Sequence, residues 1–196
     1  MQGGRESGGC WCPGSLAFVT GPLDLRSVIE SYEPHGDISS HRVALEALET
    51  GRPMWPRNEF DPGHFTASGF VLSPDRESLL LILHGKLDRW LQPGGHIESG
   101  DESVEAAARR EIAEETGLTA ITKEGARLAR IDAHEIPPRG SEPRHVHIDL
   151  AVGFVAGTDL LGPFDEVLDA RWVSLDALAD YDVDDAVRAG LRSLLA

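Results

Sequence analysis

Hydrophobic positions along this chain switch period several times, and each switch predicts a different element. Leu25, Val28 and Ile29, then Val43, Leu45, Ala47 and Leu48, recur at three- and four-residue intervals. That spacing predicts helices within 23–32 and 39–48. Gly51 and Pro53 end this leader. A β-rich stretch follows, with strands expected over 65–72 and 79–84 around a Ser73-Pro74-Asp75 turn. Later segments 128–136, 145–155 and 168–173 read as further strands, and 174–178 and 183–195 as closing helices. Strands and helices interleaved in this way predict an α/β sandwich around a mixed sheet. Residues 1–22 are rich in Gly and Ser, without periodicity, and are expected to form a flexible tail. The remainder, 23–196, is expected to be one domain with a helical leader over about 23–52.

Charge and composition narrow the function. Net charge is −15 over 196 residues, which argues against a nucleic-acid polymer as partner, because such binding neutralises phosphates with Lys and Arg. No apolar run reaches the length of a membrane span. The start lacks a basic region followed by an apolar stretch, so a cytoplasmic protein is the expectation. Cys10 and Cys12 are the only cysteines. Two thiols do not complete a tetrahedral zinc site, and reduced thiols on the tail are expected.

The densest chemistry lies in Gly94 to Leu118, GGHIESGDESVEAAARREIAEETGL. Asp101 and Ser103 are N-cap candidates, Ala106 to Ala108 favour helix, and Gly117 suits a C′ stop. On that helix Glu111, Glu114 and Glu115 share one arc. Close carboxylates repel, and a divalent cation reverses the sign of that interaction. A solvated acidic helix is the competing reading. The upstream Gly94-Gly95 offers backbone able to take positive φ and to approach a ligand closely.

This segment resembles the Nudix hydrolase signature: Gly, five residues, Glu, seven residues, then Arg-Glu-apolar-x-Glu-Glu-x-Gly-apolar. Glu102 and Arg110 to Leu118 match without a gap, whereas Gly95 and Glu102 are separated by six residues, with Asp101 as the extra one. The resemblance implies a Nudix-type α/β/α sandwich around a mixed β-sheet and a Mg²⁺- or Mn²⁺-dependent pyrophosphohydrolase. Its substrate would be a nucleoside diphosphate derivative, either a nucleotide sugar or a nucleoside triphosphate. A Pro fifteen to seventeen residues beyond the motif would favour ADP-ribose, but Pro137 and Pro138 fall later. By residue-wise carry-over, Glu114 and Glu115 would be the main metal ligands, completed by the Gly94 carbonyl and Glu166. Glu111 would bind metal through water or act as general base. Arg110 and Glu102 would form an ion pair fixing the helix against its loop. Asp165 is an equally hard neighbour of Glu166. The alternative in another class is a Nudix-fold nucleotide sensor without turnover. As partners the resemblance implies a small nucleotide-type substrate, without nucleic-acid polymer or membrane, and it leaves a homodimer open.

One strand adds independent information. Val146, Ile148, Leu150, Val152 and Phe154 alternate with His145, His147, Asp149, Ala151 and Gly153, giving a core face and a face that starts polar and becomes small. Such a face is either a cleft floor or plain solvent-facing strand. His134-Glu135-Ile136-Pro137 ahead of it is similar to an uncharacterised Nudix subgroup in which His-x-Ile-Pro precedes a His-x-His-x-Asp strand. Candidate substrate contacts are therefore His134, His145, His147 and Asp149. His84 and Lys86, just before the glycine loop, are candidates for holding phosphate.

Overall fold

The structure, a computed structural model, describes residues 24–35, 38–122, 127–164 and 167–195. The expectations for the 1–22 tail with its two cysteines, and for Asp165 and Glu166, fall outside the described residues. Two short leader helices, α1 (Leu25–Glu30) and α2 (Ser39–Glu49), come first. Strands β1 (Gly63–Leu72), β2 (Ser78–His84), β3 (Arg89–Leu91) and β4 (Gly94–His96) follow, then the long helix α3 (Val104–Thr116). Strands β5 (Arg127–Ile136), β6 (His145–Val155) and β7 (Asp169–Ser174) precede a 3₁₀ turn over Leu175–Asp180 and the terminal helix α4 (Asp185–Leu195).

The strands form one seven-stranded sheet in the order β3-β2-β1-β6-β5, with β4 paired to β1 and β7 to β2. β1 and β6 run parallel over ten residue pairs, from Gly63↔Val146 to Leu72↔Val155, while the other pairings are antiparallel. The sheet is therefore mixed, as the sequence predicts.

Strand alternation decides what each face buries. Phe65, Ala67 and Val71 of β1 point to the same face as Ile148, Leu150, Val152 and Phe154 of β6. This face packs on Ile29, Ala44 and Ala47 of the leader and on Val104, Ala107, Ala108 and Ile112 of α3. On the other face Phe70 and Ala151, with Leu79, Leu81 and Val173, bury Val183 and, from the terminal helix, Val187 and Leu191. Helices thus lie on both faces.

The second face is apolar along only half of its length. Preceding Phe70 on the same side of β1 are Ser68, Thr66 and His64, in register with Ala151, Asp149 and His147 of β6. β5 adds Asp132 opposite Asp149 and His134 opposite His147. α4 covers the apolar half, and the polar half carries the histidines and Asp149.

Candidate active site

Helix α3 owes its position to local chemistry at both ends. The Ser103 hydroxyl accepts from the Ala106 amide at 3.0 Å, and Gly117 stops the helix at φ 65°, its amide donating to the Ala113 carbonyl at 2.9 Å. A second tie comes from the leader, where Asp24 Oδ1 accepts from the Val104 amide at 3.0 Å. The last two turns then present Glu111, Glu114 and Glu115. Glu111 and Glu115 are buried, and Glu114 is half exposed.

One arginine organises this end of the helix. Arg110 donates from Nε to Asp101 Oδ1 at 3.1 Å and from Nη2 to Asp101 Oδ2 at 2.9 Å. Its Nη1 reaches Glu111 Oε1 and Glu114 Oε2, both at 2.9 Å, and Nη2 also reaches the His96 carbonyl at 2.8 Å. These carboxylate bonds, Asp101 foremost, hold the guanidinium pKa above its ordinary value. The expected Arg110–Glu102 pair is not formed: Glu102 is exposed and Asp101 occupies the partner position. The physical reason is loop length. Asp101 follows Gly95 after five intervening residues, the spacing the signature requires of its acidic residue, so the extra residue falls between Asp101 and the helix. Asp101 is itself buried and also accepts from the Glu98 amide at 2.8 Å.

Gly94 and Gly95 meet this helix end by close approach rather than by positive φ, which neither adopts. The Gly94 amide donates to Glu115 Oε2 at 2.9 Å. A Cβ on Gly95 would lie 2.7 Å from the Glu111 carboxyl, and one on Gly94 would lie 2.3 Å from the Ser68 Cβ and 2.6 Å from its Cα. Only glycine leaves this approach open. The carboxylate oxygens of Glu111 and Glu115 beside this loop suit a hard cation such as Mg²⁺ or Mn²⁺.

The polar sheet face holds a second group of side chains. His64, His96, His134, His145 and His147 form a chain of ring contacts with centroids 4.7 to 5.9 Å apart. Burial, then the neighbouring histidines, lowers His147 to about 3; burial likewise lowers His96 to about 4 and depresses His64. His134, at the exposed rim, moves the other way because its Nδ1 donates to Asp132 Oδ2 at 3.0 Å. His145 is buried, with Nδ1 donating to the Pro143 carbonyl at 2.8 Å.

The other candidate substrate contacts divide. Asp149 is buried between strands, accepting from Thr66 Oγ1 at 3.0 Å and Ser68 Oγ at 2.5 Å, and burial raises its pKa. Its carboxyl ties β6 to β1 beneath the polar face. His84 accepts from the Lys86 and Leu87 amides, both at 3.3 Å, and so braces its own hairpin, while Lys86 is exposed in that turn. Three participants were not singled out from sequence: Asp101 as the arginine's partner, His64 and His96. The one available signal was His64-x-Thr66-x-Ser68, an alternating polar run matching His-x-His-x-Asp on its neighbour.

A mixed sheet between helical layers, with a carboxylate-bearing helix end laced to a glycine loop, defines an α/β/α hydrolase domain. The NUDIX domain family profile matches residues 63–194, and the chain belongs to the Nudix hydrolase family. A Bacillus subtilis (strain 168) protein named "Putative 8-oxo-dGTP diphosphatase" is 32% identical over 111 residues, spanning 56% of this chain and 67% of its own length. A Mycobacterium tuberculosis (strain CDC 1551 / Oshkosh) protein named "Putative mutator protein MutT4" is 29% identical over 155 residues, 74% of this chain and 60% of its own. In fold, the chain is similar to the NUDIX domain of Shewanella oneidensis NrtR, solved with ADP ribose, at TM-score 0.51 and 20% identity, covering 67% of this chain and 88% of that one. The E. coli dihydroneopterin triphosphate pyrophosphohydrolase gives TM-score 0.51 and 18% identity over 67% of this chain and 94% of that one. Among the described residues no helix is long and apolar enough to cross a membrane.

Proposed function

We propose that this chain hydrolyses a diphosphate linkage in a nucleoside diphosphate derivative, either a nucleotide sugar or a nucleoside triphosphate, with Mg²⁺ or Mn²⁺. The observation that carries this reading is the approach of Glu115 to the Gly94 amide and of Glu111 to Gly95, with Glu114 tied to Glu111 through Arg110. Glu114, Glu115 and the Gly94 carbonyl would hold the metal, with Glu111 beside them as a ligand through water or as general base. Glu166 remains part of the proposed ligand set. When bound there, a divalent cation supplies water activation and neutralises charge developing on phosphate oxygens.

The protein's own groups do the positioning. Arg110 fixes the acidic helix turn to the Asp101 loop and the β4 backbone. Its charge also offsets part of the repulsion between Glu111 and Glu114. His134 and His147 on the polar face are the proposed substrate contacts, with the buried His145 behind them. A small nucleotide suits a chain whose net charge of −15 disfavours a polymer.

The test is a hydrolysis panel of nucleoside triphosphates, an oxidised purine triphosphate suggested by the name of the Bacillus relative, and nucleotide sugars. Each is incubated with Mg²⁺ or Mn²⁺ and the products are separated chromatographically. Nucleoside monophosphate released from at least one member, and lost in Glu115→Gln, is the expected result. Tight nucleotide binding without turnover across the panel would replace the enzyme reading by that of a sensor.

A further inference from the structure

Three strands bring three imidazoles to one point of the polar face. The parallel register sets His64 of β1 opposite His147 of β6, and the β1–β4 pairing sets His96 two residues along, opposite Thr66. One ring nitrogen from each of His64, His96 and His147 lies within 4.8 Å of the other two. No carboxylate belongs to this trio.

His64 shows what the arrangement lacks in protein partners. Its ring is fully buried, and Nδ1 donates to the Glu59 carbonyl at 2.9 Å. A carbonyl only accepts, so Nδ1 carries the hydrogen and Nε2 of the neutral ring presents a lone pair. That Nε2 is buried and has no hydrogen-bond partner among the described residues. Leaving a buried polar atom in this state is costly, and such atoms call for an occupant. An imidazole that donates one N–H to a backbone carbonyl while offering the other nitrogen is the usual form of a metal-ligating histidine. His145, stacked on His64 at 5.2 Å and itself held by the Pro143 carbonyl, limits the ring's freedom to turn away.

We propose that His64, His96 and His147 form a binding site for one divalent transition metal of the zinc class, separate from the oxygen donors on α3. Zinc–nitrogen bonds of about 2.0–2.1 Å place tetrahedral ligand atoms roughly 3.3 Å apart. The nitrogens therefore draw inward on binding, and the half-buried His96 and His147 side chains make that movement toward the fixed His64. An all-imidazole set selects zinc, cobalt, nickel or copper over magnesium. Three protein ligands leave a fourth position open to water or an anionic oxygen at the polar face. The inference does not depend on the hydrolase reading, because its donors are not the carboxylates of α3 and it concerns a different class of ion, although His147 is also a proposed substrate contact.

The experiment uses the untagged full chain carrying Cys10→Ser and Cys12→Ser, which removes the thiols as competing ligands. Co²⁺ is titrated in excess Mg²⁺ and followed by its visible absorption and by equilibrium dialysis; Zn²⁺ is then added as competitor. One equivalent of Co²⁺, displaced by Zn²⁺ and unaffected by Mg²⁺, is expected. His96→Ala and His147→Ala should each weaken binding at least roughly tenfold, and the double variant should abolish it, with circular dichroism showing a retained fold. Glu114→Gln/Glu115→Gln should keep the equivalent. Absence of a bound equivalent, its persistence in the double histidine variant, or its loss in the glutamine variant would each overturn the proposal.

Discussion

Arg110 grips Asp101 with two parallel hydrogen bonds, 3.1 and 2.9 Å, across the loop that precedes its own helix. Paired planar groups of this kind are strong because both bonds are charge-assisted and fixed in direction. Asp101 is buried, so removing Arg110 strands a carboxylate away from water. Arg110→Ala and Asp101→Ala should each lower kcat/KM by roughly tenfold or more, and the double variant should lose clearly less than the sum. Glu102→Ala, at an exposed neighbour, should stay within about 0.5 kcal/mol of wild-type stability. Additive losses in this cycle would show that the two residues do not act together.

Glu115 receives the Gly94 amide, an interaction a glutamine side-chain oxygen can also make. Glu115→Gln therefore keeps the shape of the loop while removing one charge from the acidic cluster. Turnover should fall by about a hundredfold or more, the scale expected when metal stabilisation of several kcal/mol is weakened. Thermal unfolding in chelator should show no loss of stability, because repulsion among the glutamates is reduced. Wild-type-like kcat at saturating substrate and Mg²⁺ would remove Glu115 from the ligand set.

Features written in local sequence were legible, and those depending on a distant strand were not. Helix α3 could be read because its caps, Ser103 and Gly117, act within three or four residues of where they stand. The long alternating strands β1 and β6 were visible for the same reason. β3 and β4 were not, since three residues carry no periodicity and β4 is held by Thr66, Ala67 and Ser68 of another strand. The helix expected over 183–195 starts at Asp185, and the one expected over 174–178 is a 3₁₀ turn. Asp101 and Glu102 are adjacent acids, and only the folded loop distinguishes which one faces Arg110. The histidine trio joins residues from three strands, so its signal lies in register, which one sequence does not display.

Gly94 and Gly95 should respond differently to the same added methyl. At Gly94 the new Cβ meets the Ser68 backbone and Cβ, which cannot move without disturbing β1. Gly94→Ala should then cost stability, on the order of 1–3 kcal/mol, as overpacking does. At Gly95 the obstruction is the far end of the Glu111 side chain, which can swing aside. Gly95→Ala should therefore unfold at nearly the wild-type urea concentration yet lose activity, because Glu111 is displaced. Equal stability losses in both variants would contradict this assignment of neighbours.

The histidine cluster also predicts how stability changes with acidity. In the unfolded chain each ring takes its proton near pH 6.5, whereas in the fold burial and the neighbouring rings lower His96 to about 4 and His147 to about 3. Between those values the unfolded state binds more protons, so stability rises with pH from about 3 to 6.5 and is level above that. His134 acts in the opposite sense: raised by Asp132, it contributes stability present below pH 6.5 that is lost as pH climbs through its folded value. Asp149, raised by burial, opposes the trend in the carboxylate range, since ionising it in the fold is unfavourable. The difference between wild type and a variant isolates the cluster from these other groups. In chelator, wild type should lose on the order of 1–2 kcal/mol between pH 7 and pH 5, allowing for solvent screening of partly exposed rings. His96→Asn/His147→Asn should lose markedly less over the same interval, as read from urea unfolding midpoints at constant slope. Parallel pH profiles for the two proteins would mean that these imidazoles take up protons in the fold over the same range as in the unfolded chain, contradicting the depression by burial.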